Sequence, residues 1–128
     1  MFERSPKYVE NFYRLAMFNN EPMASVILKF EDDFSFGEMH FHIFKQEKRQ
    51  KGAGKIIYTM ALKHFFSFEG VEKIMMQPMA DNIPPNKLLQ SLGIEVEKQY
   101  MQETSKISLG GLVNKYVITR EDFLKWPV

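Results

Sequence analysis

Residues 38–44, Glu-Met-His-Phe-His-Ile-Phe, alternate apolar and polar side chains with a period of two, and residues 53–68 carry apolar side chains at helical spacing. Between these two periods lies a short basic turn, Lys45 to Lys51, closed by Gly52, Ala53 and Gly54. A buried apolar run, 71–79, follows the helical stretch. A strand, a turn, a helix and a second strand in that order form a crossover unit, and such units join parallel strands. This constrains the fold more than any other feature: the chain must build a sheet with at least one parallel pair at its centre.

The remaining elements arrange themselves around that unit. Residues 11–18 and 23–30 read as two strands joined by a turn at Asn-Asn-Glu-Pro, and the polar 31–37 segment reads as a loop that Gly37 closes. In the helix, Ile56, Ile57, Met60, Ala61 and Phe65 share a face, and Gly70 suits its stop. A short helix follows Asp81-Asn82-Ile-Pro-Pro, with Leu88, Leu89 and Leu92 on one side and Gly93 at its end. Two further strands flank a polar, glycine-containing connection, and Thr119 with Asp122 forms a capping pair for a last turn. The order is β-β-β-α-β-α-β-β. The expected class is α/β (α+β): a mixed, mainly antiparallel sheet with a central parallel pair and helices packed on it, in a single domain spanning 1–128.

Composition bounds the function. A 45% hydrophobic, 14% aromatic chain of 128 residues can pack a core, and a net charge of +1 argues against nucleic acid as a partner. No apolar run reaches membrane-spanning length, so neither a membrane partner nor a signal peptide is expected. The chain has no cysteine, which removes disulfides, thiolate metal sites and cysteinyl intermediates and suits a cytoplasmic setting.

The turn before the helix can hold an anion, because a helix N-terminus presents unpaired N–H groups and partial positive charge. It is not a P-loop, since Arg49 and Ile56 occupy that pattern's first glycine and its Ser/Thr, and Ile57 breaks the dinucleotide pattern. What remains is Arg49-x-x-Gly52-x-Gly54, which by itself is either a phosphate cradle or a basic turn eased by glycine. Glu38, His40 and His42 point to one side of their strand. Glu38 is either a general base or an ordinary strand-end carboxylate, His40 an auxiliary base or a plain polar-face residue, and metal ligation by the three is the weakest option.

Placed between a strand and a helix, Arg49-x-x-Gly52-x-Gly54 resembles the acyl-CoA pyrophosphate loop of the GNAT superfamily of N-acetyltransferases. The stretch from Asp81 to Tyr100 resembles that family's second signature, with Ile94 where an aromatic is usual, and the final Gly110-to-Trp126 segment is similar to the tail of its ribosomal-protein N-terminal acetyltransferase branch. The resemblance implies acetyl-CoA as cofactor. It implies that Arg49, Gln50, Lys51, Gly52, Ala53, Gly54 and Lys55 wrap the pyrophosphate, that His42, Ile43 and Phe44 pair through their backbone with the pantetheine arm, and that Asn82 contacts the cofactor besides capping its helix. It also implies that Glu38 is the base, as in the histone-acetyltransferase branch.

Two departures matter. Leu88 and Leu89 stand where many members carry the tyrosine that protonates the departing thiolate, leaving Tyr100 and Tyr116, which read as packing aromatics. Barely ten residues precede the first strand, where the family usually builds an acceptor-side wall; a homodimer would cover the faces so exposed. The expected activity is acetyl transfer to an amine (protein N-terminus, lysine or small molecule) by direct attack in a ternary complex. The alternative is an acyl-CoA-binding sensor that has lost catalysis.

Overall fold

The computed structural model describes residues 10–30, 35–43, 53–103 and 110–126. Strand β1 (Glu10–Phe18) and strand β2 (Glu21–Phe30) form an antiparallel hairpin. Its turn is Asn19–Asn20, both with positive φ (49° and 66°), the geometry that a right-twisted two-residue hairpin requires and that asparagine tolerates. The turn is therefore shorter than the four residues expected, and Pro22 lies inside β2. A register shift between Ala16 and Met17 accommodates it, since Met17 pairs with Pro22 while Ala16 pairs with Ala24.

Strand β3 (Phe36–Ile43) lies antiparallel to β2. Gly37 is not a loop residue but part of this strand, buried where a Cβ would meet Leu28 and Phe30 side-chain atoms at 2.9 Å. Helix α1 (Ala53–Phe66) crosses to strand β4 (Lys73–Met76), shorter than the expected 71–79 and parallel to β3. The helix stops at Phe66, and Gly70, with φ of 89°, serves the turn before β4 instead. Helix α2 (Ile83–Ser91) ends in a Schellman arrangement: Ile94 N–H donates to Leu89 O and Gly93 N–H, at φ of 84°, to Gln90 O. Strand β5 (Val96–Gln102), strand β6 (Gly111–Thr119) and helix α3 (Arg120–Leu124) complete the chain, with Thr119 Oγ1 accepting from Asp122 N–H at 3.1 Å as the sequence predicts.

The six strands run in the order β1-β2-β3-β4-β6-β5, and every neighbouring pair is antiparallel except β3 with β4. This is the mixed sheet with a central parallel pair that the crossover unit demanded. The core lies on one face, where Val26, Leu28, Met39, Ile74, Met76, Tyr116 and Ile118 of the sheet meet Tyr58, Leu62, Phe65 and Leu89 of the helices. The inward face of α1 is rotated from the expected one. Tyr58, Ala61, Leu62, Phe65 and Phe66 are buried, whereas Ile56 and Met60 are 61% and 63% exposed. The opposite face of the sheet is open among the described residues; Tyr13, Leu15 and Met17 of β1 are exposed there, and further along it lie Glu38 and His40. Among the described residues no helix is long and apolar enough to cross a membrane.

Candidate active site

The parallel ladder between β3 and β4 is three positions long: Phe36↔Lys73, Gly37↔Ile74 and Glu38↔Met75. Beyond Glu38, β3 continues against β2 as far as Ile43↔Ala24. The chain after Met76 instead follows β6, with Asn114 N–H donating to Pro78 O at 3.0 Å and Ala80 N–H to Leu112 O at 2.9 Å. The two strands part, and Glu38 is the residue at which they part.

Glu38 is held on both carboxylate oxygens. Gln77, the first residue after β4, donates its Nε2 to Glu38 Oε2 at 2.9 Å, and His40 Nε2 lies 3.5 Å from Glu38 Oε1. Tyr100 of β5 donates its hydroxyl to Gln77 Oε1. A polar chain therefore runs from Tyr100 on β5 through Gln77, just past β4, to Glu38 and His40 on β3. Burial pushes the Glu38 carboxyl up, but the hydrogen bonds from His40 and Gln77 and the charges of His40 and Lys29 outweigh it, so the group stays below its ordinary value of 4.5. Glu38 is a carboxylate at neutral pH.

This chain borders a cleft of about 710 Å³ on the open face, lined among others by Lys29, Phe36, Glu38, Gln77, Lys98, Tyr100 and Lys115. The Lys98 ammonium lies 5.2 Å from the centre of the Tyr100 ring, and that of Lys115 5.9 Å from the Phe36 ring. Among the described residues no group of three or more His, Asp or Glu side chains is placed to hold a metal ion.

The far side of the fork is tied down by one buried amide. Asn86 of α2 donates Nδ2 to Met79 O (2.9 Å) and Asn82 O (2.8 Å), and its Oδ1 accepts from Asn114 Nδ2 (2.8 Å) and Tyr116 OH (2.6 Å). Every hydrogen-bonding site of that side chain is used. Gln90 and Gln99 extend the knot to Tyr116 and Asn114. Tyr116 is fully buried, and the Tyr100 hydroxyl joins the Glu38 chain.

The other sequence-predicted residues fall as follows. Glu38 and His40 are brought together. His42 shares their face and is exposed, and Ile43 ends β3. Phe44, Arg49, Gln50, Lys51 and Gly52 lie outside the described residues. Ala53 opens α1. Gly54, next along, is buried with its missing Cβ directed at Leu88 Cδ2 of α2, 3.2 Å away, so this glycine also sets how closely α1 and α2 approach. Lys55 is exposed. Asn82 occupies the N-cap position of α2, but its side chain makes no capping hydrogen bond. Sequence reasoning missed Gln77 and Asn86; the period-two recurrence of Lys98, Tyr100 and Gln102 along β5 was the available sign that Tyr100 faces the same way as its polar neighbours.

Similar folds occur among solved acetyltransferases. A spermidine/spermine N-acetyltransferase, SpeG, from Vibrio cholerae superposes with a TM-score of 0.72 at 18% identity, covering 94% of this chain and 72% of that one. An aminoglycoside acetyltransferase, AAC(6')-Ib, solved with coenzyme A, gives 0.72 at 18% identity, covering 93% and 70%. RimJ from Mycobacterium smegmatis, solved with CoA-disulfide, gives 0.72 at 13% identity, covering 88% and 54%. No curated protein sequence matches the chain. The acetyltransferase (GNAT) family matches residues 2–94, well over half of the 128 residues. With the crossover unit, the strand fork and the mixed sheet all in place, the chain belongs to the GNAT acetyltransferase family.

Proposed function

We propose that this protein transfers an acetyl group from acetyl-CoA to a primary amine, with Glu38 receiving the amine's proton. The observation that carries the reading is the position of Glu38: an ionised, doubly hydrogen-bonded carboxylate at the point where β3 and β4 separate. The residues around the fork fit acetyl-CoA. Backbone N–H groups of Ala53, Gly54 and Lys55 at the start of α1, together with those of Arg49, Gln50, Lys51 and Gly52 before them in the sequence, would hold its pyrophosphate, His42 and Ile43 of β3 with the following Phe44 its pantetheine arm, and Asn82, whose side chain is not spent on capping, a further polar contact. When bound, acetyl-CoA supplies an acetyl group activated as a thioester.

The acceptor must lose a proton before it attacks. At neutral pH this costs roughly 4 to 5 kcal/mol for a lysine-like amine and about 1 to 1.5 for an α-amino group. Glu38 accepts that proton directly or through a water, and His40, 46% exposed and adjacent, passes it to solvent. Gln77 and, through it, Tyr100 hold the carboxylate in place. With no cysteine to carry an acyl intermediate, attack is direct within a ternary complex, and solvent protonates the departing thiolate. The exposed Tyr13, Leu15 and Met17 on β1 support a homodimer, against which a monomeric sedimentation profile at all concentrations would count.

The test is release of CoA thiol from acetyl-CoA across a panel of amines, a clean readout because the protein has no thiol of its own. Turnover is expected with at least one amine, and Glu38→Gln is expected to cut kcat roughly 100-fold or more while leaving CoA affinity within about twofold. CoA binding without turnover on any amine would refute the reading.

A further inference from the structure

Three strands send a lysine into the cleft on the open face: Lys29 from β2, Lys98 from β5 and Lys115 from β6. Glu38 is the single acidic lining residue among the described ones. Lys115 lies 3.5 Å from Glu97, which offsets part of its charge. Lys29 and Lys98 have no carboxylate within ion-pair distance among the described residues. Lys29 acts on Glu38 only through space, and Lys98 is held over the Tyr100 ring.

A lone surface lysine says nothing about ligands. Three converging on one concavity, around a carboxylate already engaged by Gln77 and His40, leave the described lining with more cations than carboxylates, a local excess of positive charge. For an amine acceptor this has two consequences. It opposes entry of a polycation, in contrast to the spermidine for which the SpeG neighbour is named, and it favours the neutral, nucleophilic form of an amine that does enter. What such a cleft attracts is an anion. Its volume, about 710 Å³, falls in the range of small-molecule pockets.

We propose that the acceptor is a small primary amine that also carries an anionic group, a carboxylate or a phosphate, which Lys29 and Lys98 engage while the amine faces Glu38. The proposal rests on the acetyl-transfer reading above and adds the acceptor's charge. It assigns Lys29 and Lys98 to acceptor specificity and leaves the cofactor to the other side of the fork.

Calorimetric titration of the CoA-saturated protein tests it, with phosphoethanolamine and β-alanine as the anionic amines and ethanolamine and spermidine as controls. At least one anionic amine should bind roughly tenfold tighter than ethanolamine, the worth of one charge-assisted contact. The relative strengths of phosphoethanolamine and β-alanine identify which anion is preferred. Lys29→Gln and Lys98→Gln should each remove most of that advantage and leave ethanolamine and CoA binding unchanged. Equal binding of phosphoethanolamine, β-alanine and ethanolamine, or tighter binding of spermidine, overturns the acceptor assignment while acetyl transfer stands. Weakened CoA binding in the lysine variants also overturns it, by reassigning the lysines to the cofactor. Failure of CoA itself to bind overturns both.

Discussion

Gln77 donates its side-chain amide to Glu38 Oε2 over 2.9 Å, bridging the two strands just where their ladder ends. The bond lies in a half-buried setting, where a hydrogen bond to an ionised group contributes more than one between neutral partners. It does two things at once: it orients the carboxylate, and it keeps the carboxylate charged. With Glu38 as the proposed base, Gln77 would act on the chemistry through it.

A pH profile separates those effects. The Gln77 bond favours the charged form of Glu38, so Gln77→Leu should raise the Glu38 pKa and move the acid edge of kcat to higher pH, whereas a purely structural change would lower kcat equally at all pH values. The same group links folding to acid. A carboxylate held below its ordinary 4.5 contributes stability that is present above that value and lost as pH falls through the folded-state value. Acid unfolding of Glu38→Gln should lack that component, which denaturation midpoints measured down the acid range would show.

At the alkaline end Tyr58 contributes. Its ring stacks on Phe41 with centroids 4.0 Å apart, and burial pushes its hydroxyl up to about 12. The protonated form is favoured in the folded state, so the stability is intact below the ordinary value of 10.0 and is lost as pH rises from there to about 12. The loss should amount to roughly 3 kcal/mol. Tyrosine absorbance should show Tyr58 resisting ionisation until the fold gives way, and Tyr58→Phe should flatten the stability loss.

Asn86 is a polar side chain that is costly to remove. Substitution by leucine would remove a partner from two part-buried backbone carbonyls and from the buried Asn114 amide and Tyr116 hydroxyl, the last keeping only Gln90. The expected penalty is about 3 kcal/mol or more in chemical denaturation, beyond what lost packing alone would give.

Gly54 distinguishes two reasons for a glycine. A Cβ there would sit 3.2 Å from Leu88 Cδ2, the far end of a flexible side chain, so Gly54→Ala should change stability by less than about 1 kcal/mol, the gain in helix propensity offsetting mild crowding. If CoA affinity nonetheless falls by roughly tenfold or more, measured by calorimetry, the glycine serves the cofactor and not only the contact between α1 and α2.

How much of this could be seen in the residues alone follows from the range of each interaction. The crossover unit was visible because a change of hydrophobic period is local, and so was the Thr119 cap, which spans three residues. The inward face of α1 was misjudged because its sequence, Ala-Gly-Lys-Ile-Ile-Tyr-Thr-Met-Ala-Leu, carries apolar side chains nearly all round; only the partners, Phe41 against Tyr58 among them, select the buried stripe. Pro22 read as a turn residue because a bulge that absorbs it is a property of the strand pair. Tyr100 and Gln77 are 23 positions apart and meet only because β6 lies between β4 and β5 in the sheet, an order no local pattern encodes. Asn86 looked like one more polar residue after two prolines, and its burial is decided by Asn114 and Tyr116 far along the chain.

The parting of β3 and β4 has an evolutionary consequence. A slot made where a ladder stops is specified by peptide groups and strand direction, so it survives wholesale replacement of side chains; a cleft lined by Lys29, Lys98 and Tyr100 is specified by the side chains themselves. Selection can therefore rewrite the side chains of the cleft while the fork persists, which is how a chain only 18% identical to SpeG and to AAC(6')-Ib can share their fold.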